Sequence, residues 1–143
     1  MRKLVPFALA LMLAAPLAVS AQGSITEQMG RYRSTEEKAT QAYNRGVRLM
    51  RKAEAAKEPA DKAKLYEKAK EELAKAAGYL ASYDTYLALG QVYLALGKKE
   101  SALDACNHAL SKKPNSEPAK ACMEQAQREI QEAASGKPQD DGP

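Results

Sequence analysis

Few residues in this chain carry groups that could do chemistry, and they lie far apart in the sequence. His108 is the single histidine, while Asp84 and Asp104 are isolated carboxylates on predicted helices. The sequence contains no glycine-rich phosphate loop, no metal-ligand spacing and no nucleophile motif. A catalytic site needs several ionisable groups held together. We therefore expect a protein that is not an enzyme and uses no cofactor or metal, with His108 on the surface.

Composition and charge favour a small helical protein over a nucleic-acid binder. At 143 residues the chain has room for one small domain. It is rich in alanine, leucine, lysine and glutamate, with no tryptophan and one phenylalanine. This balance suits an all-α chain with a thin, alanine-rich core. The 22 basic residues are interleaved with 18 acidic ones, and because no stripe of one sign forms we expect no nucleic-acid partner.

Residues 1–21 have the pattern of a secretory signal peptide. Two basic residues precede an almost wholly apolar segment at 4–19, and small residues ending at Ala21 suit cleavage. That apolar segment contains two prolines and is short for an uncleaved membrane anchor. No cysteine lies near the cleavage site to carry a lipid anchor. We expect a mature chain that begins at Gln22, has no membrane span and is exported, to the periplasm if the source is a Gram-negative bacterium.

The next segment predicts one long helical hairpin. Residues 22–34 show no clear apolar period, which predicts a flexible lead-in. Ser34 and Glu37 have the spacing of a capping box, so we expect the first helix to begin there. Apolar residues then recur at helical spacing as far as Pro59, which ends the first helix and is followed by a second.

The remaining helices are shorter. Residues 83–116 read as two amphipathic helices separated by a turn. A last helix over 117–134 has one apolar face, which is typical of a terminal helix that covers the open end of a helical stack. The polar residues 135–143 predict a disordered tail. The helical domain is thus predicted to span residues 35–134.

The spacing within residues 83–116 resembles the tetratricopeptide repeat (TPR) family. Gly90 leaves room for a neighbouring helix, Ala102 lets the second helix lie close, and Pro114 ends it. The residues that match the motif are Tyr86, Leu89, Gly90, Tyr93, Gly97, Ala102, Cys106, Ala109 and Pro114. Tyr86 replaces the usual tryptophan and Cys106 the usual aromatic residue of the second helix.

The resemblance implies an all-α fold of TPR-like helical hairpins. The first hairpin reads as a longer copy of the second, with Gly46 corresponding to Gly90 and Ala69 to Ala102. We therefore expect two helix pairs, the first elongated, plus a C-terminal capping helix.

In a stack of this kind, the helix faces that carry Cys106 and Cys122 pack together. The two thiols could remain reduced as small buried apolar groups. In an exported protein, two thiols on touching faces usually oxidise. The resemblance therefore favours a disulfide between them.

The resemblance also implies a groove for a partner segment on the inner face of the first helix of each pair. The implied groove residues are Tyr43, Val47, Met50, Arg51, Asp84, Leu87, Gln91, Leu94 and Gln125. The members of the family that clamp a peptide carboxylate use lysine and asparagine on this face. Here the matching positions are Tyr43, Val47, Leu87 and Gln91, which favours an apolar or helical peptide.

The implied function is non-enzymatic protein binding in the cell envelope, as an adaptor, scaffold or assembly factor. The partner would be another envelope protein or a segment of one. The alternative is a structural subunit that self-associates through its apolar face.

Overall fold

The computed structural model describes residues 21–136, and this part of the chain forms five helices and no strand. The helices are α1 (Ala21–Ala55), α2 (Pro59–Tyr79), α3 (Tyr83–Ala95), α4 (Lys99–Lys112) and α5 (Glu117–Ser135). The predicted all-α class is confirmed, with two helix pairs, of which the first is longer, and a final helix. Except for Ala21, the predicted signal peptide lies outside the described residues, and so do residues 137–143 of the predicted tail.

The first helix begins earlier than the sequence predicts. The capping box predicted a start at Ser34 after a flexible lead-in over 22–34, whereas α1 is helical from Ala21. Ser34 and Glu37 are exposed within the helix and cap nothing, and the Thr35 hydroxyl donates to the Arg31 carbonyl oxygen at 2.8 Å. A serine can lie within a helix when its side chain points to solvent. No proline lies between Ala21 and Ser34.

Alanines and one glycine let α1 and α2 pack closely. Pro59 occupies the first turn of α2, where its missing N–H would have no helical partner. Gly46 of α1 faces Leu73 of α2, and a Cβ added at Gly46 would lie 2.6 Å from Leu73 Cγ. The alanines along this seam are buried: Ala39, Ala42, Ala53, Ala69 and Ala76. The apolar core continues from the seam into α3 through Leu89 and Val92.

Defined caps set the bounds of α3. Ser82 is its N-cap and accepts a hydrogen bond from the Thr85 backbone N–H at 3.2 Å. Gly97 follows the helix with φ of 68°, a left-handed conformation that favours glycine. The Lys98 N–H donates to the Tyr93 carbonyl at 2.8 Å and the Gly97 N–H to the Leu94 carbonyl at 2.9 Å. These are the two hydrogen bonds of a Schellman motif, so the predicted turn between α3 and α4 is present.

The contacts between helices place α1, α3 and α5 in one row. Each helix packs against the next one along the chain. In addition, α3 contacts both α1 and α5. The helices α1, α3 and α5 are therefore spatial neighbours, and α3 lies between the other two.

Candidate functional site

The candidate groove residues divide between the faces of α1, α3 and α5. One cleft lies between α1 and the start of α3, with a volume of about 200 Å³. We call it the Tyr43 cleft. It is lined by Glu36, Ala39, Thr40, Tyr43, Leu80, Ser82, Asp84 and Thr85. Two of the groove residues predicted from the sequence, Tyr43 and Asp84, thus meet in one cleft.

Charged groups act on the half-buried Tyr43. Burial and the Asp84 carboxylate raise the pKa of the Tyr43 hydroxyl above its usual range, while the Arg51 guanidinium opposes this shift. The hydroxyl therefore stays protonated at neutral pH and can donate a hydrogen bond to a ligand. Asp84 and Arg51 are both exposed and add one negative and one positive charge at this surface.

One face of α3 carries the second part of the candidate site. Asp84, Leu87, Gln91 and Leu94 recur at helical spacing, and we call this face the α3 stripe. Its two leucines are half-buried, and Asp84 and Gln91 are exposed. The opposite side of α3 holds the buried core residues Leu89 and Val92. The stripe therefore presents apolar surface between polar positions that face solvent.

Met50 does not belong to the accessible surface. Its exposed fraction is 9%, and it packs in the core cluster that includes Tyr66, Leu73 and Val92. The resemblance assigned Met50 to the groove because it lies at helical spacing with Tyr43. The side chain instead fills space between α1 and its neighbours, so it supports the surface without contacting a ligand.

The other assigned residues are accessible to different degrees. Val47 is half-buried on α1. Gln125 is exposed on α5, where its amide donates to Glu129 Oε1 at 3.1 Å within the same helix. The α3 stripe and the Tyr43 cleft therefore form the better-defined part of the candidate site.

Most residues of the motif that resembles a TPR are buried or half-buried. Gly90 and Cys106 are buried where α3, α4 and α5 meet, and Leu89 is buried in the core cluster shared with α1 and α2. Ala102 and Ala109 are buried on α4. Tyr86 and Tyr93 are half-buried and pack against the core cluster. Gly97 forms the turn and Pro114 is exposed after α4.

The histidine has an aromatic neighbour and an exposed position. The imidazole of His108 stacks on the Tyr86 ring with a centroid distance of 4.8 Å. Its Nε2 lies 3.8 Å from Asp104 Oδ2, and both side chains are more than half exposed. Within residues 21–136, no three His, Cys, Asp or Glu side chains cluster closely enough to hold a metal ion.

The predicted disulfide between Cys106 and Cys122 is present and joins α4 to α5. The two Cα atoms are 5.9 Å apart, and both residues are buried. Gly90 of α3 lies directly against the bond, because an added Cβ would lie 2.6 Å from Cys106 Sγ and 2.7 Å from Cys122 Sγ. Closing a loop of this length stabilises a fold by roughly 3 kcal/mol in the chain-entropy model. The disulfide thus holds α5 against the helix that carries the α3 stripe.

Sequence reasoning missed a polar contact that fixes the start of α3. The Tyr83 hydroxyl and the Ser116 hydroxyl are 2.5 Å apart, and the Lys113 ammonium lies 5.2 Å from the centre of the Tyr83 ring. These residues come from the two ends of the predicted repeat. Their polar or aromatic character gave a weak signal, but only the fold shows that they meet. Leu80 at the cleft rim was also missed, since it lies outside the motif.

None of the described helices has the length and apolar character needed to cross a membrane. Comparison with protein-family models, curated proteins and solved structures gave no match.

Proposed function

We propose that this protein is a non-enzymatic binding module of the TPR type that holds a segment of another envelope protein. The observation that carries the proposal is the α3 stripe, whose leucines Leu87 and Leu94 remain partly exposed between polar positions. Partly exposed leucines at helical spacing give a partner apolar surface to bury. The row formed by α1, α3 and α5 supplies the neighbouring walls.

The chemistry of the surface favours an apolar or helical segment. No lysine or asparagine lies among Tyr43, Val47, Leu87 and Gln91 to hold a terminal carboxylate. An amphipathic helix could bury its apolar side on Leu87 and Leu94. Asp84 and Arg51 carry opposite charges and would fix the direction of a segment with complementary charges. This role is that of an adaptor, scaffold or assembly factor.

The test is capture of the partner by a variant of the α3 stripe. We expect the double variant Leu87→Gln and Leu94→Gln to lose partner capture and keep its helical content, because both side chains are only half-buried. The measurement is a crosslinking pull-down from the exporting cell, compared with wild type. The matched control is Leu103→Gln with Leu110→Gln, two half-buried leucines with the same separation on α4. A folded stripe variant that retrieves the same protein in the same amount would disprove the proposal.

Export is part of the same proposal and has its own measurement. Residues 1–21 carry the charged, apolar and small-residue pattern of a cleaved signal. Mass spectrometry of the protein from the cell envelope should give an N-terminus at or near Gln22. Recovery of chains that retain Met1 would contradict export by cleavage.

A further inference from the structure

All the large apolar side chains that are exposed within the described residues lie at one end of the first hairpin. Their exposed fractions are 64% for Met29, 65% for Tyr32, 46% for Tyr79 and 37% for Leu80. Met29 and Tyr32 belong to the N-terminal half of α1, whereas Tyr79 and Leu80 mark the end of α2. Exposed apolar residues grouped in this way are typical of an interaction surface.

This end of the hairpin is where α1 continues past its partner helix. Gly46 lies against Leu73 and the Ala69 carbonyl oxygen, which fixes the level at which the antiparallel helices α1 and α2 meet. Both helices rise by the same distance per residue, so residues equally far from this contact lie at the same height. Tyr79, at the end of α2, is therefore level with about residue 38 of α1. Residues 21–37 therefore extend beyond α2 for roughly 25 Å. We call this part of α1 the overhang.

The exposed side chains of the overhang continue the buried seam. Met29 and Tyr32 fall at heptad spacing with Ala39, Gly46 and Ala53, which face α2 or lie buried along the same side of α1. This face of α1 is thus covered by α2 along the hairpin, and beyond the end of α2 it is exposed to solvent. Because the exposed face of the overhang continues the α1–α2 interface, we infer that another helix packs on it, antiparallel to α1 as α2 is.

We propose that the overhang is a dimer interface, covered by the overhang of a second copy of this chain. The two copies would be related by a two-fold axis, so that Met29 of each lies opposite Tyr32 of the other. A parallel pairing is excluded by packing, because the second α1 would run into the space that α2 occupies. In the antiparallel pairing, the second α1 passes beyond Ala21 from about residue 40 onward, and only its first turn reaches the level of Tyr79 at the end of α2.

The ends of the overhang fit this pairing in charge. In the proposed mature chain, which begins near Gln22, the first turn of α1 carries no acidic residue of its own to balance the positive end of the helix dipole. With Met29 opposite Tyr32, the exposed residues Glu36 and Glu37 of one copy lie beside the first turns of the other. Each copy therefore brings two carboxylates and the exposed ammonium of Lys38 to the helix end of its partner, a net charge of −1 from these three residues. The pairing also covers both overhangs at once and leaves no open end for further addition.

This interface goes beyond the proposed function, since it does not use the α3 stripe and shares only Glu36 with the Tyr43 cleft. The decisive experiment is sedimentation equilibrium of the exported protein across a range of concentrations. We expect wild type to form a dimer, and Met29→Ser with Tyr32→Ser to dimerise about a hundredfold more weakly, through loss of two apolar contacts in each copy. The control Arg31→Gln with Ser34→Gln changes exposed positions off the seam and should dimerise as wild type does. A wild type that stays monomeric at all concentrations would overturn the proposal.

A crosslink tests the direction of the pairing. A benzophenone amino acid at position 32 should crosslink, in a dimer, to a peptide of the second copy that contains Met29. A crosslink confined to residues of another protein, or to another face of the second copy, would refute the antiparallel interface. The variant Leu87→Gln with Leu94→Gln should dimerise as wild type does, so failure of the groove and failure of the dimer remain distinguishable.

Discussion

At Gly90, α3 lies close to both α4 and α5. The sequence predicted a close helix approach at this glycine, and separately favoured a bond between Cys106 and Cys122. The structure shows that the close helix approach and the disulfide occupy the same place, because both sulfur atoms fill the space that a Cβ at Gly90 would need. A covalently bonded sulfur cannot rotate away as a leucine end can. The disulfide therefore makes the glycine more necessary than the helix crossing alone would.

We predict that Gly90→Ala lowers the free energy of unfolding by about 1–3 kcal/mol, as expected for overpacking in a tight core. The matched control is Gly78→Ala, at an exposed position in α2 where an added Cβ meets no atom within 4 Å. That change should stabilise the protein by about 0.5–1 kcal/mol, because alanine is the better helix former. Urea unfolding of both variants measures the difference. Equal effects of the two substitutions would contradict the packing at Gly90.

The role of the sulfur atoms can be separated from that of the backbone. In a Cys106→Ala and Cys122→Ala background, the two atoms nearest to the added Cβ are gone. We expect Gly90→Ala to cost less there than in wild type, measured as a double-mutant cycle on the free energy of unfolding. An equal loss of unfolding free energy in both backgrounds would show that the sulfur atoms are not the source of the unfavourable contact.

At the scale of the elements, Ser116 joins α5 to the start of α3. It is the N-cap of α5, where its hydroxyl accepts from the Ala119 N–H at 3.3 Å. The same hydroxyl contacts the Tyr83 hydroxyl at the start of α3. Ser116 is buried, with an exposed fraction of 3%. One side chain therefore starts α5 and ties it to the helix that carries the α3 stripe.

We predict that Ser116→Ala reduces the free energy of unfolding by about 1–2 kcal/mol, through loss of the cap and of the Tyr83 contact. The control is Ser111→Ala, since that exposed hydroxyl only donates to the His108 carbonyl of its own helix. Thermal unfolding should show a clear drop for the first variant and almost none for the second. A Ser116→Ala protein as stable as wild type would mean that neither contact matters in solution.

The start of α1 shows why a local signal can be overridden. Ser34 and Glu37 satisfy the capping-box spacing, but a cap forms only where the preceding residues leave the helical conformation. The preceding residues, such as Gln28, Met29 and Arg31, are good helix formers. Because no proline stops them, the helix continues through the serine. Pro59, in contrast, gave a reliable boundary, since its ring cannot occupy a helix interior.

At the scale of the whole molecule, the sequence predicted the structure well where a single residue type fixes the backbone conformation or forms a covalent bond. Pro59, Gly97 and the cysteine pair were placed correctly for this reason. The groove stays a prediction: its residues on α3 share one face of that helix, but its assigned residues on α1 are not all accessible. Met50 shares its helical spacing with Tyr43, and only the packing of α2 and α3 around it decides that it is buried. Contacts between residues distant in sequence, such as Tyr83 with Ser116, leave no pattern of their own.

Ion pairs on α2 connect the two hairpins and the two arms of the first one. Glu72 pairs with Lys75 on its own helix and with Arg45 on α1. Glu67 pairs with Lys70 and, at 2.8 Å, with Lys98 in the turn before α4. The hydrogen bonds and charges of these basic partners hold the pKa of both carboxyl groups below the usual range. The ion pairs of Glu67 and Glu72 thus contribute to stability only while these two carboxylates are ionised.

The sign of the pH dependence follows from these lowered pKa values. A carboxyl group with a lower pKa in the folded state stabilises the fold above its unfolded pKa, here 4.5. That contribution disappears as the pH falls through the folded value, so we predict a melting temperature that decreases as the pH falls below about 4.5. Glu72→Gln should lose about 0.5 kcal/mol at neutral pH and show a shallower decrease in acid. Its control, Glu71→Gln, removes an exposed carboxylate that has no ion pair among the described residues. If the melting temperature of Glu72→Gln decreases with falling pH as steeply as that of wild type, the α1–α2 ion pair adds nothing to stability.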